Sequence, residues 1–146
     1  MEIRHGSNPR DVRTYTTERL REDFLVQGLF TPGQTRLVYS HVDRMIVGGA
    51  CPTAPLPLKA GEELRAEYFL ERREMGVINV GPKGAVTVDG VRHDLDQKDG
   101  LYIGMGAQEI VFASDDPKNP ARFYLNSAPA HHAYPTQRIE IGKVAA

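Results

Sequence analysis

The chain has 146 residues, which is the usual size of one domain. Its 18 lysines and arginines and 19 aspartates and glutamates give a formal net charge of −1, which argues against a nucleic-acid or anionic-membrane binder, since such proteins carry a basic surplus. No uncharged stretch is long enough to span a bilayer, and the polar N-terminus lacks the apolar core of a signal peptide. The single cysteine, Cys51, cannot form an internal disulfide, so a reducing, cytoplasmic setting is expected.

The first predicted elements are an N-terminal arm and one short helix. Residues 1–16 are expected to form the arm, and residues 17–146 a single domain. The helix is predicted over residues 17–25, because Thr17 can cap its first turn and Leu20 and Phe24 share one face at a spacing of four.

From residue 36 onward the pattern predicts β-structure. Residues 48–61 carry three prolines and are expected to be a loop or a sheet edge. Residues 64–70 alternate in a two-residue period, which predicts a half-buried strand. Further short strands are predicted at residues 37–39, 45–47, 75–80, 86–88, 91–93, 101–103, 110–113 and 122–125.

The strongest local signal is the dipeptide Asp89-Gly90 between β-branched flanks. It predicts a type I′ hairpin, because both residues of that turn need a positive φ. The whole pattern contains about eight to ten short strands at a spacing of roughly 8–12 residues, which is typical of an all-β sandwich or barrel. The alternating strand and helix pattern of a parallel sheet is absent.

The order of signals in the middle of the chain resembles a cupin, a small double-stranded β-barrel of the jelly-roll type. Glu74 precedes Gly81 by seven residues, as in the second half of the first cupin motif. Residues 104–109 (GMGAQE) occupy the place of the second motif. The resemblance therefore implies a cupin-like barrel with a short N-terminal helix.

The metal-binding positions of the two cupin motifs have changed. The histidine positions of the first motif fall on Tyr68 and Leu70, or on residues 67 and 69 with the longer spacing, and the second-motif histidine is Glu109. A transition metal in such a site needs converging imidazoles, whereas this barrel would offer at most Glu74 and Glu109. These four residues are therefore vestigial cupin-site positions, and we expect no metal centre in this chain.

Two polar groups are candidates for binding an acidic substrate. The run 71–74 (ERRE) is either a solvated strand end with self-compensating charge or a carboxylate clamp made by Arg72 and Arg73, since arginine binds carboxylates through parallel hydrogen bonds. His41, Asp43 and Arg44 form a second polar group beside an apolar strand, with the same two interpretations, and His41 and Arg44 are its candidate binding residues. No catalytic residue can be assigned from spacing.

Several blocks of sequence resemble the 5-keto-4-deoxyuronate isomerase family, also called 4-deoxy-L-threo-5-hexosulose-uronate ketol-isomerases. The blocks lie at residues 38–44 with 46–49, 68–74 with 76–79, 111–114, and 128–131 with 134–136. They keep one order and cover about residues 20–138. The resemblance implies a cytoplasmic bacterial enzyme of pectin breakdown, built of two cupins, assembled as a hexamer and holding zinc with three histidines and a glutamate.

In that family the zinc ligands belong to the second, C-terminal cupin, and no residue of this sequence matches them. The resemblance therefore implies that this chain is the metal-free N-terminal half of a uronate isomerase, inactive alone, with zinc ligands outside the chain. Its expected partners are a uronate and further copies of itself. The alternative is a stand-alone, metal-free module that binds a sugar acid or mediates assembly.

Overall fold

The computed structural model describes residues 1–144, so residues 145 and 146, at the end of the expected domain, lie outside the described part. The described chain is mostly β, as predicted. The helices are α1 (Pro9–Val12) and α2 (Thr17–Phe24), with 3-10 turns at Glu62–Leu64 and Ile141–Lys143. The strands are β1 (Glu2–Arg4), β2 (Gln34–Ser40), β3 (Ile46–Cys51), β4 (Leu56–Pro57), β5 (Arg73–Asn79), β6 (Gly84–Val88), β7 (Val91–Leu95), β8 (Gly100–Ile103), β9 (Ile110–Ser114), β10 (Phe123–Pro129) and β11 (Gln137–Ile139).

The strands form two sheets that pack face to face. The larger sheet has seven strands in the order β1-β2-β3-β10-β5-β8-β11, and the smaller has four in the order β4-β9-β6-β7. Buried apolar side chains fill the space between them, and the rings of Phe112 and Phe123, one from each sheet, lie 5.5 Å apart. In residues 1–144 the arrangement is therefore a two-sheet sandwich of jelly-roll character, without a single closed barrel.

The predicted hairpin is confirmed. Strands β6 and β7 pair in antiparallel register from Val88 opposite Val91. The two turn residues, Asp89 and Gly90, have φ values of 46° and 82°, as a type I′ turn requires.

The strand predicted over residues 64–70 is wrong. This segment continues from the 3-10 turn into irregular chain, and it pairs with no strand. Arg65 takes a left-handed φ of 46°, which breaks an extended backbone, and the Glu71 carboxylate accepts a hydrogen bond from the Glu67 amide in place of a ladder partner. Phe69 and Leu70 are nevertheless buried in the core, which explains the apolar signal.

Three smaller expectations also need correction. Residues 48–51, expected in a loop, form the buried end of β3, so the loop begins at Pro52. The start of the expected arm is a strand, because β1 pairs in parallel with β2. The helix cap is Thr16 and not Thr17, since the Thr16 hydroxyl accepts from the Arg19 amide at 3.3 Å.

Within residues 1–144, no helix has the length and apolar character needed to cross a lipid bilayer.

Candidate functional site

A cleft of about 350 Å³ opens at one end of the sandwich, where β2 and β10 end and β5 begins. We call it the arginine cleft. Its charged lining is Arg44, Arg65, Arg72, Arg73 and Glu63, and its uncharged lining is Tyr39, Leu64, Ala66, Phe69 and Pro129. Three of the four residues predicted to bind substrate therefore lie together in one cleft.

Arg73 is the buried member of this set, with only 8% of its surface exposed. Its Nε donates to the Ser127 hydroxyl at 3.1 Å, and its Nη2 donates to the carbonyl oxygens of Arg44 at 2.6 Å and Ser127 at 2.9 Å. Ser127 Oγ in turn donates to the Glu74 carbonyl at 2.7 Å, which fixes the hydroxyl as an acceptor for Arg73. The guanidinium is thus held by neutral oxygens from two neighbouring segments.

No carboxylate of residues 1–144 forms an ion pair with Arg73. Its guanidinium carbon lies 5.9 Å from the centre of the Tyr39 ring. Burial lowers the pKa of Arg73, the Tyr39 phenol opposes this shift, and the positive charge of Arg44 adds to it. Because arginine remains charged in proteins, the fold keeps a buried cation whose charge the described residues leave uncompensated.

Two tight turns hold the surrounding arginines. Asp43 and Arg44, between β2 and β3, have left-handed φ values of 52° and 54°, and Arg65 has 46°. Such conformations are strained for residues with a Cβ and are concentrated at functional sites. Each turn presents a carbonyl to another arginine of the cleft, since Arg44 O accepts from Arg73 and Arg65 O accepts from Arg72 Nη2 at 2.9 Å.

The cleft is strongly positive because its single lining carboxylate is already paired. Glu63 accepts a 2.6 Å hydrogen bond from the N-terminal ammonium group, and this contact lowers the pKa of the Glu63 carboxyl. The run 71–74 also fails to compensate itself, since none of its four side chains belongs to an ion pair within the described chain. The self-compensation that one interpretation of that run requires is therefore absent from the described chain, and the carboxylate clamp stays a prediction.

His41 lies beside the cleft and does not line it. Its ring stacks on His5 at 4.6 Å and meets the Tyr39 ring edge-on at 5.2 Å. Any influence of His41 on a ligand would therefore pass through Tyr39, whose ring forms part of the cleft wall.

The vestigial cupin-site positions do not converge. Leu70 is fully buried in the core and Tyr68 is half-buried in the irregular segment before β5. Glu109 is exposed, and its amide donates to the Asp89 carboxylate of the hairpin turn at 2.8 Å. Glu74 points away from the core, toward the outer face of the larger sheet, where it accepts from Tyr102.

The contact between Glu74 and Tyr102 is the best-defined feature of that outer face. The Tyr102 hydroxyl donates to Glu74 Oε2 at 2.7 Å, while its neighbours Leu101 and Ile103 point into the core. Burial and the hydrogen bond to Glu74 raise the pKa of Tyr102 to about 12. Glu74 is therefore engaged on the outer face of the sheet, whereas a cupin metal would lie on the inner face.

The side chains present do not fit the zinc ion that the resemblance implies. Within residues 1–144, no three histidine, cysteine, aspartate or glutamate side chains come together to hold a metal. Cys51 is buried in β3, and this burial raises the pKa of its thiol. No step involving zinc can be derived from this chain.

The residues to which sequence reasoning assigned no binding role include Tyr39 and Arg65, which line the cleft, and Ser127, which accepts a hydrogen bond from Arg73. Arg65 was hidden by the incorrect strand, and Ser127 lies beyond the predicted end of the last long strand at residue 125. The usable signal was the polar Asn126 and Ser127 following an apolar strand, because a serine near a strand end can serve as an acceptor for a charged side chain.

The two packed sheets and the cleft at their end define a cupin-like β-sandwich. A glyoxylate-induced protein of Pseudomonas aeruginosa has a similar fold, with a TM-score of 0.50 at 11% identity over 69% of this chain and 36% of that protein. The Cnp3 cupin domain of Schizosaccharomyces pombe is matched with a TM-score of 0.49 at 12% identity over 66% of this chain and 64% of that one.

The chain belongs to the KduI/IolB family, whose family model matches residues 6–146. A relative from Lachnoclostridium phytofermentans, named 4-deoxy-L-threo-5-hexosulose-uronate ketol-isomerase, is 59% identical over 141 residues, covering 96% of this chain and 51% of the relative. One from Halalkalibacterium halodurans with the same name is 54% identical over 142 residues, covering 97% of this chain and 51% of that protein. The chain thus spans about half the length of the curated relatives it matches.

Proposed function

We propose that this chain is the metal-free, N-terminal half of a 4-deoxy-L-threo-5-hexosulose-uronate ketol-isomerase of uronate and pectin catabolism. The observation that carries the proposal is the match to relatives of that name over 96% of this chain and 51% of their length. The arginine cleft supports it, because the substrate class named for those relatives carries a carboxylate that an arginine cluster can bind.

Ketol isomerisation moves a proton between adjacent carbons through an enediol, so it needs a base at carbon and an electrophile at the oxygens. Among the residues of the cleft, the electrophilic groups are guanidiniums, and its one carboxylate is paired with the N-terminus. We therefore assign the chemistry, and the zinc implied by the resemblance, to residues outside this chain. The role proposed for this half is to provide a scaffold and a positively charged surface.

The test is a chimera in which this chain replaces the 141 matched residues of the Lachnoclostridium phytofermentans relative. We expect the chimera to isomerise the unsaturated uronate at a rate close to that of the parent relative. The 146-residue chain alone should have no measurable activity and no stoichiometric zinc after dialysis. An inactive but folded chimera, or one zinc per chain in the isolated protein, would contradict the proposal.

The second candidate is a stand-alone module that binds a sugar acid without converting it. The uncompensated charge of Arg73 favours it, since that feature needs no second half. An inactive chimera combined with uronate binding by the chain would favour this candidate over the first.

We further propose that the protein assembles with copies of itself, as a hexamer by resemblance, in the cytoplasm. Exposed apolar residues support assembly: Ile3 in the edge strand β1 is 46% exposed, as is Ile139 in the opposite edge strand β11. The buried cysteine supports a reducing compartment. The division into an arm of residues 1–16 and a domain of residues 17–146 stays a prediction, and light scattering of the chain would test the assembly.

A further inference from the structure

The two buried charged side chains Asp99 and Arg73 differ in whether an opposite charge lies beside them. Asp99, 4% exposed, pairs with Arg138 at 2.9 Å and also accepts from the Ile141 amide at 3.0 Å. Arg73, 8% exposed, is surrounded by neutral oxygens and by another arginine. Burying a charge without a counter-charge is costly, and an anion bound beside Arg73 would offset that cost.

Arg73 still has donor capacity for such an anion. Its Nε and Nη2 are used by Ser127 and by the Arg44 carbonyl, whereas Nη1 donates to no acceptor in residues 1–144. Nη1 is also not among the buried polar atoms without a partner, so it reaches the solvent of the cleft. Nη1 is therefore the donor that Arg73 has left for a ligand in the cleft.

We propose that the arginine cleft is a binding site for the carboxylate of a monomeric sugar acid. Arg73 Nη1 is the anchoring donor, and the exposed guanidiniums of Arg72 and Arg44 close over the carboxylate from the rim. The carboxylate part of the proposal stands on the cleft alone, and the choice of a sugar acid rests on the proposed function.

The size and lining of the cleft favour a single sugar unit. A volume of about 350 Å³ lies at the lower end of the range of roughly 300–1,000 Å³ found for small-molecule sites. The walls made by Tyr39, Phe69 and Pro129 are apolar or aromatic and suit the C–H face of a sugar ring. Such walls also lower the local polarity, which strengthens a charge-assisted hydrogen bond to Arg73.

The experiment is a calorimetric titration of the 146-residue chain with D-galacturonate, with D-galactose and with inorganic phosphate. Galactose lacks the carboxylate, and phosphate lacks the sugar. We expect saturable binding of galacturonate, no measurable binding of galactose, and weaker binding of phosphate. Galactose binding as tight as that of galacturonate, or phosphate binding tighter than it, would overturn the proposal.

Two variants connect the binding to the cleft. Arg73→Gln should weaken galacturonate binding by about tenfold or more, as expected for loss of a charge-assisted hydrogen bond. Arg72→Gln, at an exposed side chain, should weaken it by about threefold to tenfold and gives a result even if the Arg73 variant fails to fold. The control is Arg92→Gln, since Arg92 lies in β7 of the other sheet and pairs with Asp94 and Asp115.

Wild-type affinity in both Arg72→Gln and a folded Arg73→Gln would refute the site, as would equal weakening by Arg92→Gln. Because the titration needs no turnover, its result is independent of the chimera assay. Binding with an inactive chimera rejects the isomerase role alone, and an active chimera without binding rejects the sugar-acid site alone.

Discussion

Replacing Asn79 by alanine should destabilise the fold far more than the same substitution at Asn126. Asn79 is fully buried at the end of β5, where the chain crosses from the larger sheet to the smaller. Its Nδ2 donates to the Pro82 carbonyl at 2.8 Å and to the Leu95 carbonyl at 3.0 Å, and its Oδ1 accepts from the Gly81 amide at 3.1 Å. A weaker fourth contact, at 3.4 Å, comes from the Arg122 amide.

The magnitude follows from these contacts. Each neutral hydrogen bond contributes about 1 kcal/mol net, and partners left unsatisfied in the interior cost more, so Asn79→Ala should lower the free energy of unfolding by about 3–4 kcal/mol. For a chain of this length that corresponds to a fall in Tm of roughly 6–16 °C. Urea unfolding followed by circular dichroism measures the change directly.

Asn126→Ala is the matched control. Asn126 lies on the neighbouring strand β10, is half-buried, and makes no side-chain hydrogen bond within residues 1–144. We expect it to cost about 0.5 kcal/mol or less. If the free energies of unfolding of the two variants differed by less than about 1 kcal/mol, the hydrogen bonds of the Asn79 amide would not be what stabilises the connection from β5 to β6, and the reasoning would be refuted.

Three further predictions concern pH, the hairpin turn and an ionisable tyrosine. The Ile141 amide and the Arg138 guanidinium lower the pKa of Asp99 below its usual value of about 3.9. The stability that the Asp99 carboxylate provides is therefore fully present above the unfolded-state pKa, and it is lost as the pH falls through the folded-state pKa. The difference in unfolding free energy between the wild type and Asp99→Asn should therefore shrink on going from pH 6 to pH 3, and a constant difference would argue against it. Gly90→Ala should lower the free energy of unfolding by about 1 kcal/mol, because Gly90 has a φ of 82°. Gly142→Ala is the control and should be neutral, since Gly142 has equally open space around it and no positive φ. Equal effects of the two substitutions would show that the backbone conformation is unimportant. Ultraviolet absorbance of the six tyrosines should show one titration step near pH 12, which we assign to Tyr102. This step should be absent from Tyr102→Phe, and its persistence in that variant would show that the step belongs to another tyrosine.

The features that sequence predicted well are those fixed by local backbone chemistry. Asp89-Gly90 determined a hairpin because few residues tolerate two successive positive φ values. The pattern of residues 75–80 matched β5 because alternate side chains there meet the core on one side of a sheet. Residues 64–70 had the same two-residue period, yet an alternating segment becomes a strand only if a partner strand is available, and the left-handed Arg65 removes that option.

The candidate site was predictable only in part, for a related reason. Adjacent arginines suggested a clamp, but nothing in the spacing separates the buried Arg73 from the exposed Arg72. That difference depends on Ser127, which is 54 residues away in sequence and is brought close by the pairing of β5 with β10. Long-range pairing of this kind is set by the whole sandwich and is invisible to local patterns.

Whether Arg73 serves the fold or a ligand can be decided by Arg73→Met, which keeps an unbranched, flexible stem and removes the charged guanidinium group. A structural arginine would be costly to replace, since its partners would be left unsatisfied. Here Ser127 Oγ still donates to the Glu74 carbonyl, and Arg44 lies in an exposed turn where water can bond to its carbonyl. The buried carbonyl of Ser127 is the acceptor that loses its contact with Arg73. Removal of a buried, uncompensated charge also offsets the lost contacts, so we expect the free energy of unfolding to change by about 1 kcal/mol or less while galacturonate binding is lost. A loss of more than about 3 kcal/mol in urea unfolding would assign Arg73 to the fold, and the cleft would lose its anchoring residue.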